Sequence, residues 1–317
     1  MSSIIDDNTK SENNTGFGTN ANSYGGRFVN KDGTANVEKR GLNFFKRISW
    51  HHTLIDLPLY KFLGILLVFY ILINFFFATI YYLNGIEYLK GIDSNLSEIN
   101  KFGKAFFFST QTFTTVGYGH ISPNGFFAST ISSIEALTGL LSFAIATGLF
   151  YGRFSKPTAY IKFSKNALIA PYKDKTALML RMVPFKNTNF TDAEAKITLG
   201  IEVEENGILV NKFYTLKLEL AKVNTLTLSW TLVHPIDEES PLNNFTKEDF
   251  ENLDGEIMVF VKTFDDMFSN TVAINTSYTF KEVVYGAKFD IMYDQNKSNT
   301  HTILYLDKLN SYTRIEI

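Results

Sequence analysis

Thr115-Val116-Gly117-Tyr118-Gly119, preceded by Phe106-Phe107-Phe108-Ser109-Thr110-Gln111-Thr112, is the stretch on which the reading of the whole chain turns. Successive backbone carbonyls of such a loop, pointing one way, replace the water around a dehydrated potassium ion. The arrangement alternates left-handed with extended residues, and Gly117 and Gly119 adopt the left-handed state without a Cβ clash. The expected ion ligands are Thr115, Val116, Gly117 and Tyr118, with the Thr115 hydroxyl innermost. Tyr118 is expected to point away from the ion path and brace the loop. A glycine-rich turn that merely contains a tyrosine would not be flanked by two apolar segments of membrane-crossing length.

Phe62–Leu83 is an uncharged run of 22 residues. At about 1.5 Å per residue it crosses a hydrocarbon layer roughly 30 Å thick. Its one strongly polar side chain, Asn74, is expected to face a neighbouring helix. Phe102–Thr114 is too short to span and too apolar for a surface loop. It reads as a re-entrant helix whose C-terminal dipole end favours a cation. Gly125–Phe150 is the second span and the more polar one, with Gly139 and Gly148 as expected hinge points. Glu135 is its only charge. Two readings stay open for it: an inward-pointing functional group, or a hydrogen bond behind the loop to a serine or threonine of the re-entrant helix.

Outside the spans, the composition changes twice. Residues 1–40 are rich in Ser, Asn, Gly, Thr and charge, and are expected to be a disordered cytoplasmic tail. Residues 41–57 read as an amphipathic interfacial helix, with Phe44, Phe45, Ile48 and Ile55 on one side, Lys46, Arg47 and Asp56 polar, and Trp50 as an anchor. Pro58 ends it. Basic residues flank both spans on the same side (Lys39, Arg40, Lys46, Arg47 and Lys61; then Arg153, Lys156, Lys162 and Lys165). This places both termini in the cytoplasm. The pore region is thus expected over 58–157, with spans at about 60–83 and 125–151, a pore helix at 102–114 and the filter at 115–119.

From residue 158 to 317 the hydrophobic period falls to two. About seven short segments, from Ala177–Met182 to Thr302–Leu306, indicate an all-β, immunoglobulin-like sandwich. Thr246-Lys247-Glu248-Asp249 opens one helix as a capping box. The bulk numbers exclude several functions. Net charge is −2, with no basic signature for nucleic acid, and the chain has no cysteine for disulfide, thiolate or nucleophile. There is no phosphate loop. His51 and His52 are adjacent rather than at ligand spacing, and His234 has no partner triad. No enzyme activity and no cofactor are expected; potassium in the filter is the only ion implied.

The order of interfacial helix, span, re-entrant helix, TVGYG, span and cytoplasmic sandwich resembles the inward-rectifier potassium channels, their prokaryotic branch most closely. Ala105–Ser109 with Thr115–Gly119 is similar to the family pore. Gly152-Arg153-Phe154-Ser155-Lys156-Pro157 is similar to the join to the cytoplasmic domain, and Phe163–Ile169 to its first strand. Val233-His234-Pro235-Ile236-Asp237-Glu238-Glu239-Ser240-Pro241-Leu242 is a specific match. The resemblance implies a homotetramer in a bacterial inner membrane, with a pore continued through the cytoplasmic domains. By motif position, Tyr151 falls at the helix-bundle gate. Asp192, Lys262 and Phe264-Asp265-Asp266-Met267 fall at the cytoplasmic pore. Barium, magnesium and polyamines are the implied blockers.

The chain also departs from that pattern. Eukaryotic members brace the filter with a Glu–Arg bridge; here Gln111 stands at the first position and no arginine follows His120, so support is expected from Gln111 and Glu135. Strong rectifiers carry an acid in the cavity, where this chain has Phe143, and Lys262 stands where an acid lines the cytoplasmic pore. Weak rectification is expected. Lys46, Arg47, Arg153 and Lys156 are expected to face anionic lipid, although Thr158, Ala159 and Tyr160 replace a basic run of phosphoinositide-activated members. The alternative reading is a non-conducting ion or lipid sensor of the same architecture. A transporter subunit would carry several degenerate loops per chain rather than one intact loop.

Overall fold

The computed structural model describes residues 27–41, 43, 49–93, 95–205, 208–296 and 300–317. The chain divides into two compact units, Arg40–Lys156 and Met1–Lys39 with Pro157–Ile317. Among the described residues the first unit holds four α-helices: α1 (Trp50–Asp56), α2 (Leu59–Asn84), α3 (Glu98–Phe113) and α4 (Phe126–Phe154). Pro58 ends α1 and sits at the N-cap of α2, where its missing N–H costs nothing. Helix α3 begins four residues earlier than the apolar run suggested. Ser97 supplies an extended N-cap, and Glu98 meets the positive end of the helix dipole. Phe77, Ala78 and Tyr81 of α2 pack with Ala105 and Phe108 of α3 and with Leu89. Leu89–Lys90 (β1) pairs with Ser122–Pro123 (β2) and closes the segment after the loop. Helices α2 and α4 are each long and apolar enough to cross a membrane.

The second unit is built on two five-stranded sheets, with two short two-stranded ribbons towards its C-terminus. One has the order β11-β10-β6-β7, with β8 also on β6: β6 (Phe190–Glu205), β7 (Ile208–Leu216), β8 (Lys222–Leu226), β10 (Gly255–Asp265) and β11 (Asn270–Thr279). The other has the order β12-β4-β5-β3, with β9 on β5: β3 (Ile161–Phe163), β4 (Ala167–Tyr172), β5 (Lys175–Pro184), β9 (Trp230–Ile236) and β12 (Val283–Tyr285). Leu178, Leu180 and Met182 of one sheet and Ile197, Leu199, Ile257 and Val259 of the other form one core. Their alternation along each strand is the period-two pattern of the sequence. The apolar stretch Leu226–Val233 is divided between two strands, the end of β8 and the start of β9, which belong to different sheets. The β12–β4 pair is parallel, a pairing that strand patterning does not disclose. Thr246 caps α5 (Lys247–Asn252) with the reciprocal Asp249 bonds of a capping box.

Residues 27–37 depart from the expected disordered tail; residues 1–26 lie outside the described residues. Arg27 donates through Nε to Ser277 Oγ at 3.0 Å and through Nη2 to the Ser277 carbonyl at 3.1 Å, and pairs with Glu282. The backbone N–H groups of Phe28 and Val29 both donate to the buried Glu256 carboxylate. Phe28 packs against Phe213 and Met258. Lys31 lies over the Tyr278 ring at 3.5 Å. Gly33, at φ +84, passes so close to Asn275 that a Cβ would collide with its carbonyl. A short polar segment is thus strapped along β11 and across the face of the first sheet to Glu256 and Met258 on β10 and Phe213 on β7.

Candidate functional site

Backbone geometry defines the loop. Thr115, Gly117 and Gly119 have φ of 58°, 54° and 82°, so left-handed residues alternate with Val116 and Tyr118. The glycines take this conformation freely; Thr115 takes it against the usual preference of a β-branched residue, which marks a position held by its surroundings. The holder is the end of α3. The Gln111 carbonyl accepts from Val116 N at 2.9 Å and Gly117 N at 3.2 Å, and the Thr112 carbonyl accepts from Thr115 N at 3.0 Å. Gln111 holds the loop through its main-chain carbonyl. Val116 and Tyr118 are exposed in the single chain.

Behind the loop lies a buried polar cluster. Glu135 is fully buried on α4 and accepts hydrogen bonds from Tyr81 Oη at 2.7 Å and from Ser109 Oγ. Ser109 Oγ also lies 3.1 Å from the carbonyl and the side-chain oxygen of Asn74. One carboxylate thereby ties α2, α3 and α4 together. Of the two readings left open for Glu135, the hydrogen bond to the re-entrant helix is the one observed. Asn74 faces a neighbour, as its polarity suggested. Ser109 is one of the re-entrant-helix hydroxyls that reading allowed; Tyr81, which its place at the end of the first span assigns to the far interface, is instead buried against Glu135.

Helix α4 is unbroken through Gly139 and Gly148. A Cβ on Gly139 would overlap the backbone of Phe113, whereas Gly148 has open space. Gly139 is therefore a close-approach residue for the end of α3, not a bend. Phe143 and Tyr151 project from α4, each about three-quarters exposed in the single chain. Arg153 Nη1 donates to the Ile55 carbonyl at 3.0 Å, satisfying an end group of α1. Lys156 pairs with Asp56. Lys46 and Arg47 lie outside the described residues.

On the outer face of the first sheet, Asp192, Glu194, Lys222, Asn224, Lys262, Phe264 and Thr271 border one depression of about 600 Å³. Asp265, grouped with Phe264, Asp266 and Met267 in the sequence reading, is instead fully buried. Its Oδ1 accepts from Thr188 Oγ1 at 3.0 Å and Met267 N at 2.9 Å, so it shapes the β10–β11 turn. Met267 and Phe264 stay exposed around it. His234 is buried, with Nδ1 2.7 Å from the Lys217 carbonyl and Nε2 2.8 Å from Ser240 Oγ. Burial pulls its pKa below the ordinary histidine value. It staples the Val233–Leu242 stretch rather than serving chemistry.

A single re-entrant helix and carbonyl loop between two membrane-crossing helices, carrying a separate β-sandwich, define a two-span pore-loop membrane protein. Comparison with known proteins narrows the class. The family model "Inward rectifier potassium channel C-terminal domain" matches residues 161–317 and "Ion channel" matches 65–156. Inward rectifier potassium channel Kirbac3.1 of Paramagnetospirillum magnetotacticum is 31% identical over 270 residues, covering 83% of this chain and 88% of that one. ATP-sensitive inward rectifier potassium channel 12 of Gallus gallus is 24% identical, covering 86% and 68%. Inward rectifier potassium channel irk-1 of Caenorhabditis elegans is 26% identical, covering 62% and 38%. Among solved structures, Spo0M of Bacillus subtilis reaches a TM-score of 0.24 at 7% identity, covering 43% of this chain and 60% of that one, and carries no argument. The chain belongs to the inward rectifier potassium channel family, a family of ion channels rather than enzymes.

Proposed function

We propose that four copies of this chain form a potassium-selective pore, with Thr115, Val116, Gly117 and Tyr118 as the ion ligands and Gly119 closing the loop. The observation that carries the reading is the alternating left-handed backbone at Thr115, Gly117 and Gly119, because aligned carbonyls need it. One chain supplies one loop and ringing an ion takes several, so a closed tetramer follows from the chemistry. Phe143 lines the cavity and Tyr151 narrows it below. Phe264, Asp266 and Met267 narrow the cytoplasmic opening, and Asp192 and Lys262 line it. The cytoplasmic domain gates conduction, with both termini on the cytoplasmic side of a bacterial inner membrane. Rectification is weak, because Phe143 and Lys262 occupy positions where an acid would hold a blocking cation. Anionic lipid acts through Lys46 and Arg47 more than through Arg153 and Lys156, which already have protein partners.

Barium-sensitive rubidium uptake into liposomes containing the purified chain tests the reading. Gly117→Asp is expected to abolish uptake while leaving tetramers on size exclusion. Uptake unchanged by Gly117→Asp removes the loop from the conduction path. No uptake at any pH or lipid composition supports the non-conducting sensor.

A further inference from the structure

Asp192 departs from the extended backbone of its strand. It sits inside β6 at φ 56°, in the left-handed region. The β6–β10 register shifts at this point: Lys262 faces Glu194, but Phe264 faces Thr191. Asp192 is therefore a bulge residue, and a bulge re-aims a side chain. It is aimed at Lys222 on β8, whose Nζ is 3.0 Å from Asp192 Oδ1. Glu194, two residues on and on the same outward face, stands opposite Lys222 on β8 and opposite Lys262 on β10. Two acids and two lysines thus share one open depression. The Asp192–Lys222 pair is more than half exposed on both sides, so it contributes little to folding. Its consequence is the charge it presents to whatever enters.

We propose that Lys222 is a positioning residue for cation specificity: it occupies the Asp192 carboxylate and, with Lys262, cancels the acidic face that would otherwise concentrate multivalent cations. The inference rests on the reading that this face lines the conduction path. A cleft of one sign raises the local concentration of the opposite ion, and a balanced one does not. Asp192 is then an acid held in reserve. Removing the lysine charge exposes it, while removing both groups restores balance. Lys262 acts on the same field without touching Asp192.

The test uses the full chain in planar bilayers with symmetric potassium and spermine on the cytoplasmic side. Lys222→Gln is expected to lower the half-blocking spermine concentration roughly tenfold at positive potentials. Asp192→Asn/Lys222→Gln is expected to return it to that of the wild type; asparagine tolerates the left-handed backbone. Asp192→Asn alone leaves two lysines against one acid and is expected to raise the half-blocking concentration. Spermine calorimetry on the detergent-solubilised protein reads the same three variants without current, with tighter binding expected only for Lys222→Gln. Block and binding unchanged by Lys222→Gln, or a gain that persists in the double variant, overturn the inference. Absence of current in the wild type overturns the channel reading instead and leaves the calorimetric outcome decisive for this one.

Discussion

The two units use the same apolar side chains in opposite ways. In the sandwich, Leu178, Leu180, Ile197 and Leu199 are wholly inaccessible. In the pore unit, Leu67, Leu72, Phe76, Phe143 and Ile145 stand mostly open. The sandwich buries its apolar surface internally and pairs its backbone across strands. The pore unit satisfies its backbone within helices but leaves its apolar faces open in the single chain, as a membrane-crossing segment does. What holds each together therefore differs. Area removed from water supports the sandwich. Close backbone approach and a buried polar cluster hold the pore unit, as expected where the surroundings are as apolar as the side chains.

Four measurements sharpen or break this contrast. The largest effect is expected at Gly139. Gly139→Ala forces the end of α3 away from α4 and should reduce rubidium uptake at least about tenfold by overpacking, whereas Gly148→Ala, in open space, should leave it near that of the wild type. Equal behaviour of the two would dissolve the close-approach account. Second, Leu180→Ala should destabilise the sandwich by about 2–5 kcal/mol in urea unfolding. Leu72→Ala, on a face exposed in the chain, should change unfolding by less than about 0.5 kcal/mol; a loss as large as that of Leu180→Ala would mean that α2 buries this face.

Third, Glu256→Gln replaces the carboxylate that receives the Phe28 and Val29 amides, and should weaken the strap by about 1–3 kcal/mol. Amide hydrogen exchange over Phe28–Asn36 should quicken accordingly, while exchange in β5 stays unchanged. The smallest effect concerns pH. Burial, the largest cause, opposed by Glu282 and aided by Arg27, lowers the Lys31 pKa from 10.5 to about 8. The docked strap thus binds fewer protons than the free one between these values. The penalty for burying the ammonium is full below about pH 8 and relieved as pH rises towards the value of a free lysine. Raising pH from about 7 to about 10 should modestly strengthen docking, and Lys31→Met should remove that dependence.

The legible parts of the molecule were those whose signal is local. TVGYG, the uncharged spans, Pro58 and the Thr246–Asp249 capping box each carry their meaning within a few residues. The period-two segments showed a sandwich but not which strands pair, since β8 and β9 look alike and join different sheets. The strap was missed because Arg27–Asn36 is polar and aperiodic, and its partners Glu256, Ser277 and Glu282 lie more than two hundred residues away. Asp265 was misread because its neighbours Phe264 and Asp266 do face outward, and one step along a strand reverses the direction. The Arg153 bond to Ile55 was illegible because a basic residue beside a span has no mark for a carbonyl waiting on another helix.

By itself the sequence determined the family resemblance, the two spans of membrane-crossing length and the β class, because a signature loop, hydrophobic length and periodicity are properties of contiguous residues. Only the tertiary structure decided that Gln111 braces the filter with its main chain, that Glu135 joins three helices and that Gly139 admits a backbone. It also decided that Asp192 is turned onto Lys222 and that the N-terminal strap closes on Glu256. Each of these depends on groups far apart in the chain meeting within a few ångströms, and hydrogen bonds and close contacts exist only at that range.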